Sequence, residues 1–209
     1  MHPVLAAYVG DISLTGVVSA DAIMLLRSRG CAETADHSQR VATVAQRLAR
    51  RWGVDETSTE AAGWLHDISA IVPRDHYLQV AEILGLEVLA EERIAPVLVH
   101  QKLSAVIAQE VFTIADRSVL SAIGCHTTLK ASSSALDKIV FVADKMGWDQ
   151  SGDPPYLTEM ALATDQSLDL AAYCYLNYLW QRRRTLPAMH PWAFQAYRQL
   201  SARVRQEPD

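Results

Sequence analysis

The chain has 209 residues, half of them hydrophobic, and a formal net charge of −5. That length can bury one substantial core, and the acidic balance argues against a nonspecific nucleic-acid binder, which needs a basic face to neutralise phosphates. Cys31, Cys125 and Cys174 are odd in number, widely spaced and lack a Cys-x-x-Cys pair, so neither a disulfide framework nor a zinc knuckle is indicated.

Apolar residues recur at helical spacing nearly everywhere and alternating strand patterns are scarce, which predicts an all-α bundle. Met1 to about Gly16 reads as an irregular N-terminal extension, with Gly10 and Gly16 as breakers, and residues 17–209 as a single domain that includes the C-terminal helices. No basic region precedes an apolar run, and no apolar stretch reaches the roughly 20 residues that span a bilayer, so a cytoplasmic location is expected. A helix is expected from Ser19 to Arg27, ended by Gly30, then a long one from Thr34 or Asp36 to Arg51, stopped by Gly53. Asp55 to Thr57 opens the helix that delivers His66 and Asp67, and Pro73 suits the first turn of a helix to Gly85. Further helices are expected at Pro96 to Phe112, Asp116 to Cys125 and Ser134 to Met146. Trp148 to Pro155 reads as a loop, followed by helices at Thr158 to Thr164, Gln166 to Arg184 and Trp192 to Arg205.

Within these helices His37, His66, Asp67, His100, His126 and Asp144 stand in or beside hydrophobic stretches, where an imidazole or carboxylate is costly without a partner. Neutral imidazole and ionised carboxylate are ligands that Fe, Mn and Zn accept, so the set reads as a metal site. Neighbouring helical side chains diverge by about 100°. His66 and Asp67 therefore reach one ion together only near a helix end, with the carboxylate free to bridge to a second ion, which favours a two-metal centre.

The order carried by Asp36-His37-Ser38, Leu65-His66-Asp67-Ile68, Val99-His100, Cys125-His126-Thr127-Thr128 and the helix ending in Val142-Ala143-Asp144 resembles the HD-domain metal-dependent phosphohydrolases. Within them it is most similar to the YqeK-type symmetrical bis(5'-nucleosyl)-tetraphosphatases, over about Ala20 to Leu179. The resemblance implies two divalent metal ions, with iron the first choice and manganese or another transition metal the alternative. It implies His37, His66, Asp67 and Asp144 on one ion and His100 and His126 on a second bridged by Asp67, with His66 and Asp67 the catalytic residues. The implied activity is hydrolysis of diadenosine tetraphosphate to two ADP by metal-activated water. Lys102, Lys130, Thr127 and Thr128 are candidate substrate contacts, with surface exposure the alternative for the lysines and local turn capping for the threonines. The partner is then a small nucleotide or phosphate ester, neither nucleic acid nor membrane, and a homodimer is admissible.

The chain departs from the family pattern at three places. Ala70 stands where a lysine usually follows His-Asp, Leu129-Lys130 where Gly-Arg usually follows His-Thr, and Lys145-Met146-Gly147-Trp148-Asp149 where a Glu-Pro segment usually continues. Lysine for arginine loses bidentate phosphate geometry. The alternatives are a phosphatase for another nucleotide or small phosphate ester, an HD-type di-iron oxygenase, and a non-enzymatic regulatory module. His2, His76 and His190 read as nonligands, Cys125 as a small buried filler, Arg182-Arg183-Arg184 as a solvated helix end with phosphate or an acidic partner the alternative, and Tyr173, Tyr175, Leu176, Tyr178, Leu179 and Trp180 as helix packing with a stacking surface for a base the alternative.

Overall fold

Several helix ends carry an Asp or Ser cap or a glycine stop. The computed structural model describes residues 1–147, 152 and 154–205, and among these it contains twelve α-helices and no strand. The all-α architecture expected from the periodicity is the one observed. In chain order the helices are α1 (Pro3–Val9), α2 (Val18–Ser28), α3 (Ala32–Trp52), α4 (Glu56–Leu65), α5 (Tyr77–Ile83) and α6 (Ala90–Ile94). After them come α7 (His100–Glu110), α8 (Arg117–Cys125), α9 (Ala135–Met146), α10 (Leu157–Ala163), α11 (Leu168–Gln181) and α12 (Pro191–Val204).

Local chemistry accounts for the boundaries near the site. Gly53 ends α3 in the left-handed region at φ 65°, which an L side chain resists. The Asp55 carboxylate accepts the Ser58 N–H at 2.6 Å to start α4, and Asp116 accepts the Ser118 N–H at 2.8 Å to start α8. A reciprocal Ser134–Asp137 capping box opens α9.

Four expectations need correction. The N-terminal lead is not irregular: Pro3 occupies the first turn of α1, His2 Nδ1 accepts the Val4 N–H, and Leu5 and Val9, four apart, are buried in the core. The helices expected at Pro73 to Gly85 and Pro96 to Phe112 each begin as a 3-10 turn, Arg74–His76 and Pro96–Val99, before α5 and α7 take over. α3 begins two residues before Thr34, at Ala32, with no side-chain cap. α6 is an addition to the expected helices, because five residues are too short to show a period. The loop expected at Trp148 to Pro155 lies largely outside the described residues.

Two apolar clusters form the core. One gathers α1, α2, α4, α5, α7 and α8; the other gathers α10, α11 and α12. α3 and α9 serve both, with Ala35, Ala42, Leu136 and Val140 in the first and Val41, Leu48, Phe141 and Ala143 in the second. α3 and α4 pack so closely that a Cβ at Gly63 would lie 2.7 Å from the Ala42 Cα, so only glycine fits there. That approach holds the last turns of α4 against the middle of α3.

Candidate metal centre

Five helices bring six side chains to one point. His37 comes from the second turn of α3, His66 and Asp67 from the residues following α4, His100 from the first residue of α7, His126 from the residue following α8, and Asp144 from the last turn of α9. The predicted set is therefore gathered whole. His37 and His66 approach Nε2 to Nε2 at 3.2 Å, and His100 and His126 at 3.0 Å.

The other ring nitrogens fix the tautomers. Nδ1–H donates to a backbone carbonyl in all four rings: His37 to Gly147 at 3.1 Å, His66 to Gly63 at 2.8 Å, His126 to Ile123 at 2.8 Å, and His100 to Val97. Each Nε2 then presents a lone pair inward. Paired lone pairs at about hydrogen-bond distance repel one another unless a proton or cation lies among them, and a backbone acceptor on the remote nitrogen is the usual support of a ligating histidine.

Asp67 joins the two histidine pairs. Its Oδ1 lies 3.2 Å from His100 Nε2 and 3.3 Å from His126 Nε2, while Oδ2 lies 3.5 Å from His66 Nε2 and 4.0 Å from His37 Nε2. Oδ1 is a buried oxygen without a hydrogen-bond donor once the four Nδ1 atoms carry the protons. Asp144 Oδ1 completes the first pair, 3.1 Å from His37 and 3.6 Å from His66. Three overlapping groups of these atoms have the spread of a coordination sphere: His37, His66 and Asp67; His66, His126 and Asp144; Asp67, His100 and His126. Hard and borderline N and O donors of this kind fit a divalent transition ion.

Burial opposes charge on His66 and His100, but Asp67 and Asp144 push both up, so in metal-free protein positive charge is favoured among these atoms. Burial alone would raise the Asp67 and Asp144 carboxyls, but the surrounding histidines, and Lys145 beside Asp144, hold both well below the usual carboxylate range. Burial, reinforced by His66 and His100, pushes His126 down to about 4, so this ring is neutral at physiological pH.

Residues 34–149 match the HD domain family model, more than half of the chain. The chain belongs to the HD domain family. It is 39% identical over 147 residues to a protein from Lactococcus lactis subsp. cremoris described as an uncharacterized protein in the pepC 5' region, covering 70% of this chain and 74% of that one. It is 29% identical over 110 residues to the symmetrical bis(5'-nucleosyl)-tetraphosphatase of Bacillus subtilis, covering 52% of this chain and 58% of the relative. With the Staphylococcus aureus tetraphosphatase the identity is 32% over 111 residues, 52% and 56% of the two chains. The chain thus spans little more than half the length of these tetraphosphatases. A crystal structure from Clostridium acetobutylicum, described as a predicted HD superfamily hydrolase involved in NAD metabolism, superposes with a TM-score of 0.80 at 24% identity, covering 92% of this chain and 99% of that one. That likeness shows the fold.

Around this HD centre the structure places the remaining candidates differently from one another. Thr127 Oγ1 sits 3.0 Å from both His100 Nε2 and His126 Nε2, beside the ions' place. Thr128 is buried, its hydroxyl near Gln101 Oε1 and donating to the Leu129 carbonyl. Lys102 Nζ is held by Glu92 and the Glu87 carbonyl, both at 2.8 Å, over the Trp192 ring. Lys130 Nζ donates to Ser121 Oγ at 2.6 Å.

Several contributors do not stand out in the sequence. Buried Gln101 accepts the Thr127 and Thr128 N–H groups and so holds the turn after His126. Ser69 donates to the His100 carbonyl at 3.0 Å and receives Ser104 at 2.9 Å, tying the segment after Asp67 to α7. Arg74 and Tyr77 line a cleft of about 850 Å³ that Asp67 and His100 border, with Ala70 and Cys31 in its wall. The Pro73-Arg74 pair after the ligand doublet was the available signal for Arg74. No helix among the described residues is long and apolar enough to cross a membrane.

Proposed function

We propose that the chain is a metal-dependent phosphohydrolase that splits diadenosine tetraphosphate symmetrically into two ADP. The observation that carries the reading is the division of Asp67, one oxygen toward His100 and His126 and the other toward His66 and His37. Two divalent ions, iron first and manganese next as the family resemblance implies, would supply an acidified water and charge neutralisation at the attacked phosphorus and the leaving oxygen.

The chain's own part is positioning. His37, His66, Asp67 and Asp144 would hold one ion and His100, His126 and Asp67 the other, each imidazole fixed by its backbone acceptor. The cleft beside Asp67 and His100 is open to solvent and large enough for a polyphosphate, and the exposed Arg74 at its edge offers a bidentate phosphate donor. Thr127 offers a hydroxyl next to the second histidine pair. The names of the Bacillus and Staphylococcus relatives support the substrate.

A second reading, hydrolysis of a smaller phosphate ester or another nucleotide, is favoured by one observation. Lys102 and Lys130 are held by Glu92 and Ser121, which leaves Arg74 as the cation on the cleft wall. The deciding experiment is metal analysis of anaerobically purified protein together with product analysis on diadenosine tetraphosphate. The reading expects near two ions per chain and ADP as sole product; AMP plus ATP contradicts symmetrical cleavage. Full metal content with turnover only of another ester establishes the second reading.

A further inference from the structure

A second cavity, about 190 Å³, shares Val97 in its lining with the large cleft. Its wall is made by Leu98, Tyr175, Leu179, Leu186 and Met189, and its floor by Thr127 and Thr128. Among the described residues no Asp, Glu, Lys or Arg lines it. A phosphate has no counter-charge there, whereas a flat, neutral heterocycle finds an aromatic ring, a thioether and aliphatic walls, the usual composition of a small-molecule pocket.

Its position relative to the metal centre gives it meaning. Thr127, which lines it, is the residue whose hydroxyl lies 3.0 Å from both His100 and His126 Nε2. Tyr175, on the wall, shares the Lys145 ammonium with Phe141, and that ammonium also pairs with Asp144. The imidazole of His190 is already spent: Nε2–H donates to Glu92 and Nδ1 accepts the Trp192 N–H, so it closes the pocket rigidly. A charged cleft bordered by Asp67 and His100 and an apolar pocket lined by Thr127 therefore both adjoin the candidate metal centre and share Val97.

Resting on the phosphohydrolase reading, we propose that this pocket receives the nucleobase of one half of the substrate. The phosphates of that half pass Thr127 onto the ions, and the other half lies in the larger cleft beside Arg74. The two halves of a symmetrical substrate thus meet unlike walls, and only one base is gripped.

The test uses the full chain loaded with Zn²⁺, which is diamagnetic, and compares ADP with inorganic pyrophosphate. Calorimetry should give ADP at least tenfold tighter binding than pyrophosphate. With ¹³C-methyl methionine, the Met189 signal, assigned through Met189→Leu, should shift with ADP and stay fixed with pyrophosphate. Ala188→Leu, which fills the pocket from the half-buried loop before α12, should weaken ADP about tenfold and leave pyrophosphate unchanged, with circular dichroism verifying the fold. Equal affinities for the two ligands, or a Met189 methyl unmoved by saturating ADP, overturns the pocket while leaving the phosphohydrolase reading standing. Binding of neither ligand by the Zn²⁺-loaded wild type overturns that reading and the pocket with it.

Discussion

The Lys145 ammonium pairs with Oδ2 of Asp144, the oxygen not used toward His37 and His66. It also donates to the His126 carbonyl at 3.1 Å and lies over the Phe141 and Tyr175 rings, so a buried cation fixes the Asp144 carboxylate and the turn carrying His126. Lys145→Met should keep the fold, because the stem already runs through apolar surroundings. Loss of an outer partner typically costs 10–100-fold in metal affinity. Competition with a chelating dye measures it; unchanged affinity would show that Asp144 needs no such support.

The bridging geometry predicts a contrast between two residues. Asp67→Ala removes oxygens from both histidine pairs and should deplete both ions and abolish hydrolysis while helicity remains. His76, hydrogen-bonded to the Tyr8 hydroxyl at 3.0 Å and part of none of the candidate ligand groups, gives the contrast: His76→Ala should keep both ions and activity. Elemental analysis of the two proteins side by side decides the matter, and full occupancy in Asp67→Ala sinks the bridge.

The six gathered side chains are legible in the sequence because burying imidazole and carboxylate in apolar helices is costly enough to mark the residues one by one. Their support is not. Gln101, Ser69, Ser104 and Lys145 are ordinary helix-compatible side chains, and only the packing of α7, α8 and α9 shows that they grip the turn at Thr127, the His100 carbonyl and Asp144. The same holds for Lys102: sequence pattern places a cation near a ligand, while the tertiary fold gives it to Glu92. α1 escapes the sequence pattern for a related reason, since seven residues carry too little period to announce that Leu5 and Val9 are buried.

Arg74 and Lys102 should separate by phenotype. Arg74 is exposed on the cleft wall, so Arg74→Ala should raise KM roughly 3- to 10-fold at nearly constant kcat, the signature of lost substrate binding. Lys102→Ala leaves the fully buried Glu92 short of a partner and should instead lower the melting temperature, by the several degrees that about 1–3 kcal/mol represents. Kinetics and thermal melts on both variants test the division; a large KM effect with unchanged stability in Lys102→Ala would make that lysine a substrate contact.

Glu92 also predicts acid sensitivity. Burial would raise its carboxyl, but His190, Lys102 and the Leu89 N–H bring it from 4.5 to about 2. A depressed folded-state pKa contributes stability that is present above the unfolded value and lost as pH falls through the folded one, so the loss runs from about pH 4.5 to about 2. In metal-free protein, urea midpoints for wild type should fall across this window more steeply than for Glu92→Gln. Parallel curves would remove Glu92 from the account.

Leu129 follows the His-Thr-Thr turn with φ 56°, a left-handed conformation at the position where the family pattern has glycine. Its side chain is fully buried in the second core cluster. Leu129→Gly therefore sets two effects against each other. Relief of the backbone is worth roughly 1–2 kcal/mol, the cost of the left-handed region for a residue with a Cβ. Removing a buried leucine side chain costs about 2–5 kcal/mol already at the Leu→Ala level. Packing wins, so the variant should be less stable by about 1–3 kcal/mol in urea titrations. Metal content should be unchanged, because Gln101 still holds the Thr127 and Thr128 amides. A gain in stability would mean that strain at Leu129, rather than its burial, dominates this turn.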